Sequence, residues 1–397
     1  MRIASANAYD TSLDALMRRQ SELASTQEQL TSGKRVNRAS DDPAAAARAE
    51  RALAIEKRTV ATLRGVDASM NAMAATESAV GDAMELMQQV RETMVAAGNP
   101  AYSDAERRGF ADKLVGLRAQ LLEVANRADG SGNYVFGGQG ATQAPFIDAP
   151  GGVAFRGIEG HLKAATDDEL ALTLDGQRVW MHARTGNGVF ETGPAAGNTG
   201  SAWIDGGTVT DPQAIDGSTY RIDISMVAGE THYTLLRDGV EVVPAQPFRP
   251  GQSIEIAGRS AFLNGQPADG DAFEMRPSQP GMSVFDVIDQ AAAALAQPGR
   301  SGSQIAQTNA RDLLHMDGVM NQLQAVRSQL GETLNRIDNV TDRLGAQKLS
   351  SQTARSAAED LDMVQALSEF ANRQTGYDAA LKSYSMVQKL SLFDYLR

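Results

Sequence analysis

Residues 30–51 read LTSGKRVNRASDDPAAAARAER, and this stretch sets the architecture. Before it, Leu13, Leu16, Gln20, Leu23, Gln27 and Leu30 recur at alternating three- and four-residue steps, the spacing of a coiled-coil seam. Gly33 ends that pattern, because glycine takes the left-handed backbone that closes a helix at little cost. A basic loop, KRVNRAS, follows. Ser40 then reads as the N-cap of a second helix, with Asp41 and Asp42 in a first turn that favours carboxylates. Pro43 stands where a missing N–H does no harm.

Working outward, Leu53, Glu56, Val60, Leu63, Val66, Met70, Met73, Glu77, Val80, Met84, Met87, Arg91 and Met94 keep three- and four-residue spacing. A helix from Asp41 to Ala97 would be roughly 80 Å long at about 1.5 Å per residue. No globular core needs such a helix, but a rod does. Ser103 and Glu106 form a capping-box pattern, and Phe110, Leu114, Leu117, Leu121 and Val124 line a third helix. The methionine stripe along the second helix reads as core.

From about Tyr134 to Pro280 the apolar period drops to two. Leu170, Leu172 and Leu174 alternate up to Asp175-Gly176, and Val179 and Met181 resume beyond it. Tyr220, Ile222, Ile224 and Met226 alternate likewise. Tyr233 and Leu235 lead into Asp238-Gly239, with Val240 and Val242 beyond, and Asn264-Gly265 offers a third tight turn. Such dipeptides between alternating runs predict hairpins, and hence a β-sandwich or barrel-like domain.

Helical spacing returns at Ser283. A short helix runs to Ala296 before Pro298-Gly299, and a long one carries Leu323, Val326, Leu330, Thr333, Ile337, Val340 and Leu344 in heptad steps. The last helix places Leu367, Phe370, Gln374, Tyr377, Leu381, Tyr384 and Gln388 the same way. Its half-polar seam is marginal alone and calls for a partner. The first helix, with Gln20 and Gln27 in its seam, is the obvious one.

The expected fold is therefore mainly α with an inserted β-rich domain. Residues 1–40 and 357–397 would form a terminal coiled-coil assembly region. Residues 41–140 and 281–356 would form a helical rod, and residues 141–280 the β insertion.

Composition narrows the function. Among 397 residues there is no cysteine, which removes disulfides, thiolate metal sites and cysteine nucleophiles. The four histidines, His161, His182, His232 and His315, lack ligand spacing. Gly186-Asn187-Gly188 lacks the third glycine of a dinucleotide fingerprint, and Gly137-Gly138-Gln139-Gly140 lacks the P-loop lysine. Asp269-Gly270-Asp271 reads as a turn rather than a calcium loop. No catalytic, cofactor or metal site is expected.

Net charge is −12, and residues 141–280 hold nine Lys/Arg against eighteen Asp/Glu. An acidic middle argues against nucleic acid. No apolar run is long enough to span a membrane, and the opening MRIASANAYDTSLDALM lacks the apolar core of a cleaved signal peptide.

Three stretches resemble the flagellin family, which comprises flagellins and their junction relatives. The first is the opening quotation, with Gly33, Ser40, Asp41, Asp42 and Pro43. The second is NRADGSGNYVFGG at residues 126–138, similar to the segment where the family's third helix turns into a hairpin. The third runs from Leu361 to Arg397.

The closing LSLFDYLR, with Leu392, Phe393, Asp394, Tyr395 and Leu396, and the opening MRIASANAY resemble the junction branch more than flagellin proper. The resemblance implies a non-catalytic, extracellular subunit of the bacterial flagellum, exported through the flagellar type III apparatus and placed between hook and filament. The alternative is a filament subunit.

The implied partners are another junction protein on the hook, flagellin above, copies of the chain in a ring, and a cytosolic chaperone on the C-terminal helix. The residues expected to carry assembly are Leu13, Leu16, Leu23 and Leu30 against Leu367, Phe370, Tyr377, Leu381 and Tyr384.

Overall fold

The computed structural model describes residues 2–130 and 132–395, the side chains of 2–9 and 387–395 excepted. Contacts divide the chain into two compact units, residues 1–64 with 340–397 and residues 65–339. Both cuts fall within long helices rather than at the loops that punctuate the sequence.

The first unit contains α1 (Arg2–Ser32), the start of α2 (Pro43–Ala97), the end of α6 (Gly302–Glu359) and α7 (Met363–Tyr395). Between α2 and α6, Ala45, Ala49, Ala52, Val340 and Leu344 are buried. Glu56 accepts from Gln352 at 2.8 Å and from Arg355 at 3.0 Å. Small apolar residues plus one shared carboxylate thus hold two helices whose outer faces are polar.

The second unit has a helical part and a β part. In α2, Val66, Met73, Val80, Met87 and Met94 recur every seventh residue and are almost wholly buried, so the stripe is core. Leu114, Leu117 and Leu121 of α3 (Asp104–Ala125) are buried with Phe285, Ile288 and Leu295 of α5 (Val284–Ala296). Ser103 and Glu106 close the capping box at the start of α3.

The β part comprises β1 (Phe146–Ala149) and β2 (Gly152–Phe155), a paired hairpin, followed by two larger sheets. One has the order β4 (Phe190–Pro194), β12 (Ala272–Pro277), β7 (Tyr220–Val227), β8 (Glu230–Arg237), β9 (Val240–Pro247), all antiparallel. The other joins β10 (Ser253–Ile256), β11 (Arg259–Asn264) and β5 (Trp203–Ile204), with β6 (Thr208–Val209) also on β11. Residues of both sheets, among them Ile204, Tyr220, Ile222, Ile224, Leu235, Ile254, Leu263, Phe273 and Met275, share one core. A short pair, β3 (Ala183–Arg184) with β13 (Pro280–Met282), completes the strands.

Asp238-Gly239 turns β8 into β9 with positive φ at both residues, the backbone such a hairpin requires. Two other turn readings need correction. Asp175-Gly176 starts a helix, α4 (Gly176–Trp180), because the Asp175 carboxylate accepts from the N–H groups of Gln177 and Arg178. Val179 and Trp180 are then buried, and Trp180 stacks on Phe285 at 5.8 Å. The Leu170–Leu174 segment pairs instead with residues 162–164. Asn264-Gly265 makes no hairpin either, since β11 and β12 lie in different sheets.

Candidate assembly surface

The terminal helices α1 and α7 pack on each other within the first unit, and three contacts fix their sense. The Leu361 N–H donates to the Gly33 carbonyl at 3.0 Å. Arg373 donates to the Glu22 carbonyl at 3.1 Å and to Thr26 Oγ1 at 2.9 Å. A Cβ on Gly376 would lie 2.6 Å from the Arg19 guanidinium. From Leu361 to Gly376 the partners fall from residue 33 to residue 19, so the pair is antiparallel.

The buried stripe of the pair differs from the heptad reading at every second position. Leu16, Leu23 and Leu30 of α1 and Phe370, Tyr377 and Tyr384 of α7 are half-buried. Between them the protected positions are Thr26, only 2% exposed, and Ala366, 4% exposed, together with half-buried Arg373, Gly376 and Ala380. Gln20, Gln27 and Gln374 face outward.

Leu13, Leu367 and Leu381 are exposed as well, with Leu367 at 56%, beside Met17, Met363, Val364 and Met386. The choice of face has a physical cause. Small residues at Thr26, Ala366, Gly376 and Ala380 let the backbones approach, and Arg19 and Arg373 lie across the opposite helix. The apolar leucines outside that stripe are left as a surface.

The loop that follows α1 is tied to the end of α6. Gly33, with φ +70°, receives no Cβ contact and closes α1 by donating to the Gln29 carbonyl at 2.9 Å. Arg35 donates its backbone N–H to the Glu359 carbonyl at 2.7 Å and its guanidinium to the Ala358 carbonyl at 2.8 Å. Lys34 pairs with Glu359 at 3.1 Å, and Arg38 with Glu28 at 3.0 Å. The basic loop is therefore neutralised by its own chain.

The helix start needs a correction. α2 begins at Pro43, and its cap is Asp42, whose Oδ1 accepts from the Ala45 N–H at 2.9 Å. Proline disfavours the α region for the residue before it, so Asp42 stays outside the helix and serves as its cap. Asp41 instead accepts from the N–H groups of Asn37 and Arg38 at 3.0 and 2.8 Å. Ser40 is exposed. The Ala45 N–H, then the Arg35 guanidinium, hold the Asp42 carboxyl below its ordinary range.

Of the remaining signature residues, Leu392, Phe393, Asp394 and Tyr395 continue α7. Leu396 and Arg397 lie outside the described residues. Sequence reading passed over Glu359, Thr26 and Arg373, although Arg373 lies in the Leu361–Arg397 stretch; Arg35 was legible only as part of a basic loop.

Among the described residues no cluster of metal-binding side chains occurs, and no helix is long and apolar enough to cross a membrane. Residues 3–141 match the bacterial flagellin N-terminal helical region, and residues 313–396 match the flagellin C-terminal helical region. The flagellar hook-associated protein 3 of Salmonella typhimurium is 25% identical over 406 residues, which cover 100% of both chains. The chain belongs to the flagellin-like family of hook-associated protein 3.

The crystal structure of hook-associated protein-3 from Legionella pneumophila is 25% identical, covers 75% of this chain and 96% of its own, and superposes with a TM-score of 0.70. Flagellin E of Vibrio cholerae is more distant, 22% identical over 85% of either chain. Hook-associated protein 3 relatives thus span the β insertion as well as the helical ends. The family is structural, so the chain is a flagellar building component and not an enzyme.

Proposed function

We propose that the chain is the hook–filament junction subunit, seated on another junction protein at the hook and offering a flagellin-like surface to the filament. The observation that carries this reading is the full-length likeness to hook-associated protein 3, insertion included. Flagellin E matches less of the chain, and at lower identity.

The terminal pair supplies the means. Its outer face exposes Leu13, Met17, Val364, Leu367, Leu381 and Met386, and each large apolar side chain gains about 1.5–3 kcal/mol when fully buried. In a ring of copies these residues would be covered by neighbours, and Tyr377 and Tyr384 would lie at the edge of the same contact. Residues 1–40 with 357–397 would then be the assembly region, residues 41–140 with 281–356 the supporting helices, and residues 141–280 the part left to solvent.

Before export, a cytosolic chaperone that covers the C-terminal helix would keep the apolar face from aggregating. Passage through the type III apparatus would deliver the chain outside the cell. The acidic surplus of residues 141–280 suits a solvated position.

The test is assembly of the purified chain, followed by electron microscopy with hook ends and with flagellin seeds. Caps on hook ends that bear the first junction protein, with no long filaments from the chain alone, are expected. Long homopolymeric filaments would make it a flagellin, and failure to join hook ends would sink the junction role.

A further inference from the structure

An edge of a β-sheet is a row of amide and carbonyl groups that can pair with another chain, and two edges of the β insertion are filled from within. The Gln307 side chain bonds both the N–H and the carbonyl of Ile204 in β5. Asn187 does the same for Phe190 in β4, accepting its N–H through Oδ1 at 2.9 Å and donating its own N–H to the carbonyl at 3.0 Å. β9 is different. It ends the five-stranded sheet and is exposed at every residue but Val243, which is half-buried. Val240, Val242 and Val243 give it the β-branched composition of a strand that pairs well.

Two features blunt this edge. The Phe248 N–H donates to the Thr231 carbonyl of β8 at 2.8 Å, and amide directions alternate along a strand, so the amide of residue 247 falls on the open side. Pro247 stands there and has no N–H to offer. Pro244 belongs to the second feature, a doubly irregular register. From Leu236 to Leu235 the partner moves from Glu241 to Val243, and from Leu235 to Tyr233 it moves from Val243 to Gln246. β9 thus carries an extra residue at each place, which bends it away from a straight pairing edge.

We propose that β9 is a guarded edge, kept by Pro244, Pro247 and its bulges from pairing antiparallel with β9 of a second copy of this chain. A strand set against its own copy satisfies a two-fold axis and needs no second surface, which makes a like copy the partner to be refused. An assembly holds copies at high local concentration. The guard therefore rests on the assembly reading for its purpose, whereas its test uses the free chain.

Sedimentation velocity and amide hydrogen exchange of the full-length chain, each at low and high protein concentration, would compare the unaltered chain with the double variant Pro244→Thr, Pro247→Thr. The double variant is expected to sediment as a dimer or larger species at high concentration. Exchange of its residues 240–247 should then slow by about tenfold, as when paired chains outnumber single ones by about ten to one. In the unaltered chain exchange of this strand should not depend on concentration.

Adding Val242→Lys to the double variant should restore the single chain, because a charge on the edge opposes pairing. A double variant that keeps protection in β7 and β12 yet never pairs would overturn the guard, as would concentration-dependent protection of β9 in the unaltered chain. If the double variant loses protection in β7 and β12, Pro247→Thr alone, which leaves the bulges in place, decides by the same readings. Failure of the unaltered chain to join hook ends would sink the junction reading and leave the guard standing.

Discussion

Asp42 and Asp312 show how position sets the sign of a carboxylate's contribution. Asp42 is half-buried and is bonded by the Ala45 N–H and then by Arg35, so its pKa is lowered on folding. Its stabilisation is complete above the unfolded pKa and is lost as pH falls through the folded one. Asp42→Ala should therefore lower the urea midpoint at pH 7, and the difference from the unaltered chain should shrink in acid. Ser40→Ala, at the position the sequence pattern favours as the cap, should change neither.

Asp312 is buried in α6, with burial pushing its carboxyl up against the pull of Arg311. A raised folded pKa means that stability is present below the unfolded value and is lost as pH rises through the folded one. Asp312→Asn should then stabilise the chain at pH 7 and give no gain near pH 3, which urea titrations at the two pH values would read.

At the scale of elements, α2 and α7 use their apolar residues in opposite ways. The heptad stripe of α2 from Val66 to Met94 is sealed, so Met87→Ala should cost about 2–5 kcal/mol through lost burial and the cavity left behind. On α7, Leu367 and Leu381 face solvent. Leu367→Asp and Leu381→Asp should leave helicity and the urea midpoint of the monomer within about 0.5 kcal/mol, as surface changes do. They should still abolish junction assembly seen by microscopy. If both variants assembled normally, the exposed leucines would have no part in the contact.

The β insertion is joined to α6 by a side chain acting as a strand. Gln307 accepts from the Ile204 N–H at 2.9 Å and donates to its carbonyl at 3.1 Å, completing the backbone pairing of β5 on the side away from β11.

For the whole molecule, the chain ends and the insertion depend on different physics. The second unit has a dense core in both its helical and β parts, whereas the α1–α7 pair relies on small residues and arginine reach. Phe273→Ala, deep between the two sheets, should cost about 3–5 kcal/mol. It should leave exchange of the α1–α7 amides untouched, because the β core is built from residues of the second unit. Proteolysis would show whether damage spreads: cleavage confined to residues 141–280 is expected, and simultaneous loss of α1 and α7 would contradict this separation.

Much of this was legible in the residues themselves. Gly33, the Asp-Gly turn at 238, the Ser103 capping box and the change of apolar period each report a local backbone preference, which acts over a few residues wherever the chain goes. From them follow long helices at the ends and strands between. Their local reach is also why they misplace Ser40 as a cap and Asp175-Gly176 as a hairpin, where neighbouring Pro43 and buried Trp180 prevail.

Tertiary structure alone decided which face of α1 meets α7, since leucines mark hydrophobic positions whereas close approach is set by Thr26, Ala366 and Gly376. It also decided that Arg35 bonds Ala358, a partner 323 residues away. No local preference encodes such a contact; it exists because two distant surfaces are complementary once brought together.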